Sequence, residues 1–315
     1  MAKVTGTEAK LVYPDGSEQP ILRRGPANIR EYISVVRKAA ACGANVLVCE
    51  CMALQPALQS FCEERLMQSH IAVITNVRHD HEEIMGKDLV AIAATLGRTV
   101  PGNGLLVTTS EAFSFLARAG KIPADAGRCH IIADETDETP TEDSFPFEVF
   151  GENLALALRV CELAGIPREI ALSGMKASAP DAGNLTVQEH IVGNRRIRVV
   201  DATAANDPDS TQILWRRYVE KHSPVAGILL HSRMDRRIRT IGLCDLFGKL
   251  HAGPYFLTGD TVFAERQLKK AGVAAERIVR VPEATLSAVL TQVFSSMTGL
   301  EGTLFAAGNR KGLEM

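Results

Sequence analysis

Aromatic residues are scarce in this 315-residue chain, at 5%, and Trp215 is the single tryptophan. A surface that stacks nucleobases is built on aromatic rings, so this composition argues against one. Charge of one sign is lacking too. Thirty-seven acidic residues nearly balance 35 Lys and Arg, for a formal net charge of −2. Nothing draws the chain as a whole to nucleic acid or to an anionic membrane. No apolar run approaches the length that crosses a bilayer. The N-terminus has no charged-then-apolar signal segment. By itself the chain is expected to be soluble and cytoplasmic. No CxxC pair occurs, and the seven cysteines lie mostly inside apolar stretches. They read as reduced, buried thiols.

What is present is ordinary for a globular protein. Hydrophobic residues make up 46% and charged residues 23%, over a length that suits two domains. Short apolar runs alternate with helical periods, which predicts α/β layers. Residues 1–27 read as irregular, with turn chemistry at Pro14-Asp15-Gly16. Asn28 stands three residues before Glu31, a capping-box spacing, and Gly43 is placed to end the helix that follows. A short buried strand is expected at 46–49, then a helix over about 56–68 and a strand over 71–77. Asp88 caps a helix reaching about Thr99. Further strands are expected at 104–108 and 129–133, and helices at about 110–119 and 153–164. Residues 185–201 read as a hairpin turning at Gly193-Asn194. The stretch 204–210 has linker chemistry, and a domain boundary is expected near 203–207. Strands at 226–231, 254–258, 278–281 and 303–307 follow, with helices between them.

Open parallel sheets bind ligands beyond the carboxyl ends of their strands. Two such ends carry unusual residues. The first is Cys49-Glu50-Cys51. A carboxylate there needs a compensating partner, which is a divalent cation, a nearby Arg or a helix cap. The second runs from Ile74 to Gly86 and holds His79, Asp80, His81, Glu82 and Glu83. It lacks clear zinc spacing. Its carboxylates have the hardness Mg²⁺ prefers, and a solvated charged loop is the plain alternative. Arg233, Arg236, Arg237 and Arg239 could grip carboxylates or phosphates in pairs of hydrogen bonds. For Arg237 and Arg239 a solvated helix start is the better explanation.

The stretches "ECMALQP" (50–56) and "ITNVRHDHEEIMG" (74–86) resemble the signature of the poly-γ-glutamate synthase ligase family (CapB/PgsB) of the Mur ligase superfamily. The likeness continues at Thr5-Gly6-Thr7, "ENLALAL" (152–158), "APDAG" (179–183), "AANDPDST" (204–211), "HSRMDRRIRT" (231–240) and "AAGNRKG" (306–312). The resemblance implies a Mur-ligase-like central domain over 1–203 with a mostly parallel sheet. It implies a Rossmann-like α/β domain over 204–315. It implies ATP-dependent ligation of glutamates through the γ-carboxylate by way of an acyl phosphate, with ATP and Mg²⁺ as cofactors. By the same likeness Glu50 binds Mg²⁺, and His81 holds a second metal ion or the γ-phosphate side, oriented by Asp80. Thr5, Gly6, Thr7, Asn153, Asn206 and Asp207 line the nucleotide, and Arg233 and Asp235 act from the C-terminal domain. The implied partners are glutamate, its polymer and membrane-bound synthase subunits at the inner face of the membrane, without nucleic acid. A homo-oligomer stays open. Two other readings also stay open: a Mur-type or folylpolyglutamate-type ligase with another acceptor, and a non-catalytic subunit-binding module.

One element of that family is lacking. A phosphate-cradling loop ends in Gly-Lys-Ser/Thr. Here Gly86-Lys87 precedes Asp88, Gly120-Lys121 precedes Ile122, and Gly248-Lys249 precedes Leu250. The first strand, the loop and its helix are therefore expected upstream of residue 1. The 315 residues alone are expected to have little or no ligase activity.

Overall fold

A computed structural model describes residues 1–4, 9–23, 25, 27–122, 130–178, 180, 184–205, 207–220, 222, 224–250 and 253–315, with the side chains of Val4 and Asp143 excepted. The chain divides into two compact units, Met1–Ala182 and Gly183–Met315.

The first unit opens with three short strands, β1 (Ala2–Val4), β2 (Lys10–Val12) and β3 (Glu18–Pro20). They pair antiparallel in sequence. The segment expected to be irregular is thus a small meander. Its turn is made by Asp15, whose Oδ1 accepts the Ser17 N–H and hydroxyl at 2.9 and 2.7 Å. Gly16 supplies the left-handed φ of +83°. These strands are too short and polar to show a period of two.

Helix α1 (Glu31–Ala41) follows. Glu31 reaches back to the Asn28 N–H at 3.2 Å, the reciprocal bond that the capping-box spacing predicts. The helix ends at Gly43, φ +66°. It buries Tyr32, Val35 and Ala39, while Ile33 and Val36 stay exposed. The strand expected at 46–49 is a two-residue piece, β4 (Val48–Cys49), parallel to β1. It lies at the end of the sheet order β3-β2-β1-β4, so Val46 and Val48 are exposed rather than buried. Helix α2 (Pro56–Phe61) continues into a π-helical turn, Cys62–Met67.

A second, three-stranded sheet is parallel throughout: β5 (Ile71–Ile74), β6 (Leu105–Thr108) and β7 (His130–Ile132). Between β5 and β6 run α3 (Glu82–Met85) and α4 (Leu89–Leu96), and Asp88 caps α4 by accepting the Ala91 N–H at 2.9 Å. Helix α5 (Ser110–Arg118) joins β6 to β7, and α6 (Gly151–Leu163) and α7 (Arg168–Ala177) complete the unit. β6 is buried on both faces, as parallel strands are. Leu106 packs with Ile92, Ala112 and Leu116, and Val107 packs with Ala133 and Leu156.

The second unit begins with the hairpin β8 (Thr186–Val192) and β9 (Arg195–Asp201), turning at Gly193-Asn194 as expected. Then come α8 (Pro208–Tyr218), β10 (Val225–Ser232), α9 (Arg237–Leu250), β11 (Tyr255–Gly259), α10 (Thr261–Lys270), β12 (Ile278–Arg280), α11 (Leu286–Ser296) and β13 (Glu301–Gly308). The six-stranded sheet has the order β12-β11-β10-β13-β9-β8. All its pairings are parallel except β8 with β9. One face packs Ile197, Val199, Leu229 and Leu304 against Val289 and Val293 of α11. On β13, Phe305 meets Trp215 of α8 edge-on, with ring centroids 5.4 Å apart. Among the described residues no helix is long and apolar enough to cross a membrane.

The boundary near 203–207 needs correction, because the unit begins at Gly183. The reason is the ladder between β13 and β9, from Glu301↔Arg196 to Ala306↔Asp201, which makes the hairpin part of the second sheet. Ile197, Val199 and Val200 of β9 are core residues. Each stabilises by about 1.5–3 kcal/mol, so together they rival the total stability of a small domain, roughly 5–15 kcal/mol. A fragment of residues 183–315 is therefore expected to unfold cooperatively on heating. A fragment of 204–315 should show no transition. Equal melting of the two would contradict this division.

Candidate functional sites at the strand ends

In the first unit, β1 and β4 run side by side, with Lys3 opposite Cys49. The next residue, Glu50, donates its N–H to the Lys3 carbonyl at 3.1 Å. Its own carbonyl accepts the Tyr32 hydroxyl at 2.8 Å. The same hydroxyl oxygen accepts the Met52 N–H at 3.1 Å. The Glu50 peptide is thus held from both sides, and the residue is exposed. Tyr32 is buried, which pushes its phenol pKa upward and keeps it a hydroxyl.

Lys3 is only 1% exposed. Its ammonium has no hydrogen-bond partner among the described residues and lies 5.0 Å from the centroid of the Tyr32 ring. Burial pulls its pKa down, and the Glu31 carboxylate opposes that shift. Glu31 itself is gripped by Arg23 through two bonds of 2.8 and 2.9 Å. Burial pushes the Cys49 thiol up and the Cys62 thiol to about 11. Both stay protonated at neutral pH and are poor nucleophiles.

After β5 comes the acidic, histidine-bearing loop. His81 sits just before α3 with a left-handed φ of +50°. That is unusual for a residue with a side chain and often marks a functional loop. Its N–H donates to Asp80 Oδ1 at 2.9 Å. Its ring nitrogens stand 3.7 Å from Asp80 Oδ2 and 3.7 Å from Glu83 Oε1. His79 pairs separately with Glu82 at 2.9 Å. Among the described residues no three His, Cys, Asp or Glu side chains converge as a metal cage. Asn153 is exposed in the first turn of α6. Thr5, Gly6 and Thr7 lie outside the described residues, as do Asn206 and most of the 179–183 stretch.

In the second unit, β10 continues to β11 and β12 on one side while β13 and β9 lie on the other. The strand order changes direction between β10 and β13, and ligands of open parallel sheets enter at such a point. Several polar residues meet there. The Asn309 N–H and side-chain amide donate to the His231 carbonyl at 3.0 and 3.3 Å. Gly308, at φ +103°, must be glycine, since a Cβ would stand 2.3 Å from that carbonyl oxygen. Arg310 pairs with the buried Asp201 at 3.1 Å, and Asp201 also accepts the Thr203 N–H and hydroxyl. Arg233 donates to Asp235 at 2.8 Å, so these two candidates form one exposed rim pair. Arg237 stacks on Phe263 with its carbon 4.8 Å from the ring centroid, which fits a structural role. Asp207 is buried and caps α8, its Oδ1 accepting the Ser210 N–H at 2.7 Å. That cap occupies part of the carboxylate assigned to the nucleotide by resemblance.

Sequence reasoning gave no roles to Asp201, His231, Asn309 and Arg310. The signal was available, because Gly308-Asn309-Arg310 follows the apolar run of β13 as Glu50 follows β4.

His231 is buried, and its Nδ1 lies 2.8 Å from Thr258 Oγ1. Desolvation depresses its pKa, Arg233 adds to the shift, and a backbone bond at Lys311 opposes it. The unfolded chain therefore binds this proton more readily than the folded one. Stability from the neutral ring is complete above the unfolded value of 6.5 and falls as pH drops below it towards the folded pKa. Urea midpoints are expected to decline on acidification below about pH 6.5, and to decline less in His231→Asn. Parallel declines in both proteins would contradict this origin.

Residues 187–315 match the family model described as the poly-gamma-glutamate synthase CapB C-terminal domain. The chain is 36% identical over 270 residues to PGA synthase CapB of Bacillus subtilis (strain 168), covering 83% of this chain and 67% of that protein. It is 37% identical over 248 residues to the capsule biosynthesis protein CapB of Bacillus anthracis, covering 76% of this chain and 52% of that protein. The chain thus spans between half and two thirds of the length of these relatives. Among solved structures, Mycobacterium tuberculosis folylpolyglutamate synthase, solved with ADP and AMPPCP, aligns with a TM-score of 0.59 at 14% identity, covering 88% of this chain and 69% of that one. MurF of Acinetobacter baumannii aligns with a TM-score of 0.52 at 12% identity, covering 84% and 62%. The fold is that of the Mur ligases and folylpolyglutamate synthases, and the chain belongs to the poly-γ-glutamate synthase CapB family.

Proposed function

We propose that this chain supplies the ligase fold of an ATP-dependent poly-γ-glutamate synthase. The observation that carries the reading is Glu50, an exposed carboxylate just past a parallel strand pair, with its peptide held on both sides. The family membership and the nucleotide complex of the mycobacterial relative support ATP as the phosphoryl donor.

In the reaction, a glutamate γ-carboxylate oxygen attacks the γ-phosphorus of ATP and ADP departs. The amine of the next glutamate attacks the acyl carbon. The new C–N bond replaces the C–O bond, phosphate leaves with the oxygen, and the amine loses a proton. The donor chemistry at Glu50 suits Mg²⁺, which takes one or two carboxylates and completes its shell with waters and substrate phosphates. When bound, Mg²⁺ neutralises charge on the phosphoryl group. Glu50 would hold it, while His81, oriented by Asp80, would hold a second ion or the γ-phosphate side. Asn153, Asn206, Asp207 and the Thr5-Gly6-Thr7 segment would border the nucleotide. Arg233, with Asp235 fixing its fork, would grip a glutamate carboxylate. Membrane-bound synthase subunits are the proposed partners, and they would bring the chain to the inner face of the membrane.

The test is Glu50→Gln in the cell that makes the polymer. Poly-γ-glutamate is expected to fall by about 100-fold, the order of loss when a transition-state charge stabiliser is removed. Undiminished polymer would favour the non-catalytic subunit-binding module. Product made only with a folate or nucleotide-sugar acceptor would favour the other Mur-type ligases.

A further inference from the structure

Tyr32 has a place in the first unit that its burial alone does not explain. A buried phenol requires one hydrogen-bond partner, and this one has two, both on the segment that carries Glu50. It donates to the Glu50 carbonyl at 2.8 Å and accepts the Met52 N–H at 3.1 Å. The Lys3 carbonyl takes the Glu50 N–H at 3.1 Å, and the Lys3 ammonium lies 5.0 Å from the Tyr32 ring centroid. Tyr32 and Lys3 are 2% and 1% exposed. An ammonium so buried, with no hydrogen-bond partner among the described residues, costs free energy. The ring face offsets part of that cost and is held in register by it. Among the described residues the β1–β4 register ends at Lys3↔Cys49, and a two-residue strand gives little rigidity of its own. The phenol continues the ladder by one peptide.

We propose that Tyr32, seated on the buried Lys3, is a positioning residue that fixes the Glu50 peptide and so aims its carboxylate at a divalent cation. The inference rests on the reading of Glu50 as a metal ligand. Groups that orient a ligand from behind typically cost 10–100-fold in metal affinity when removed.

The test is Mn²⁺ binding in the presence of ADP, followed by electron paramagnetic resonance, for the wild-type chain, Tyr32→Phe and Glu50→Gln. Thermal melting of each sample checks the fold. Tyr32→Phe is expected to raise the Mn²⁺ dissociation constant about 10-fold, and Glu50→Gln to abolish the site. If Glu50→Gln weakens binding and a folded Tyr32→Phe does not, the positioning role is overturned and the metal reading stands. If Glu50→Gln has no effect, or the wild type binds no Mn²⁺, the metal reading fails and takes the inference with it. A second measurement avoids any loss of fold. The four tyrosines can be labelled with fluorotyrosine and the Tyr32 resonance assigned by substituting the other three. A Mg²⁺ titration with ADP should shift that resonance in the wild type and leave it still in Glu50→Gln. An unmoved resonance in a wild type that binds the ion would overturn the proposal.

Discussion

The last hydrogen bond of three parallel ladders fixes a polar residue at the end of its strand. Glu50 N–H to Lys3, Asn309 N–H to His231 and Asp260 N–H to Ser232 are the same bond in three places, at 3.1, 3.0 and 2.9 Å. In each case a residue just beyond a strand gives its N–H to the neighbouring strand's carbonyl. The backbone is still ordered there, and the side chains range from the exposed Glu50 to the buried Asn309. A carboxylate or amide at that point is held firmly through its own peptide, and the exposed Glu50 also avoids the desolvation cost of the core. The parallel direction of the strands gathers such points at one end of each sheet, where a ligand of an α/β fold enters.

Charge that does enter the interior is compensated locally. Asp201 is buried but satisfied by Arg310 and by Thr203. His231 is buried and neutral, with its ring against Thr258. Lys3 is the exception, lacking a hydrogen bond among the described residues and resting on an aromatic face. That exception lies directly behind Glu50, the residue on which the proposed chemistry depends. Native sequences tend to concentrate such conflicts at functional positions.

Much of this was legible in the sequence. The α/β alternation, the Asn28–Glu31 cap, the Asp88 cap and the Gly193-Asn194 turn act over a few residues, so local chemistry announced them. The meander of residues 10–20 was hidden because its strands are three residues long and polar. The burial of 46–49 was misjudged because four apolar-looking residues do not reveal that their strand lies at a sheet edge. The domain boundary was misplaced for a longer-range reason. Only the pairing of β13 with β9, more than 100 residues apart, assigns the hairpin to the second unit. At the site, strand-end position and family likeness singled out Glu50, Asp80, His81, Arg233 and Asp235. Neither could reveal Tyr32, whose role comes from one hydroxyl brought 18 residues along the chain to a backbone carbonyl.

Ligation through an acyl phosphate moves one oxygen from the substrate to the leaving phosphate, whereas an acyl adenylate would carry that oxygen into AMP. The measurement that tests the account most directly is the fate of ¹⁸O in glutamate labelled at the γ-carboxylate, turned over by the synthase that contains this chain. The account predicts one ¹⁸O in inorganic phosphate for each amide bond formed. Unlabelled phosphate, with polymer still accumulating, would contradict it.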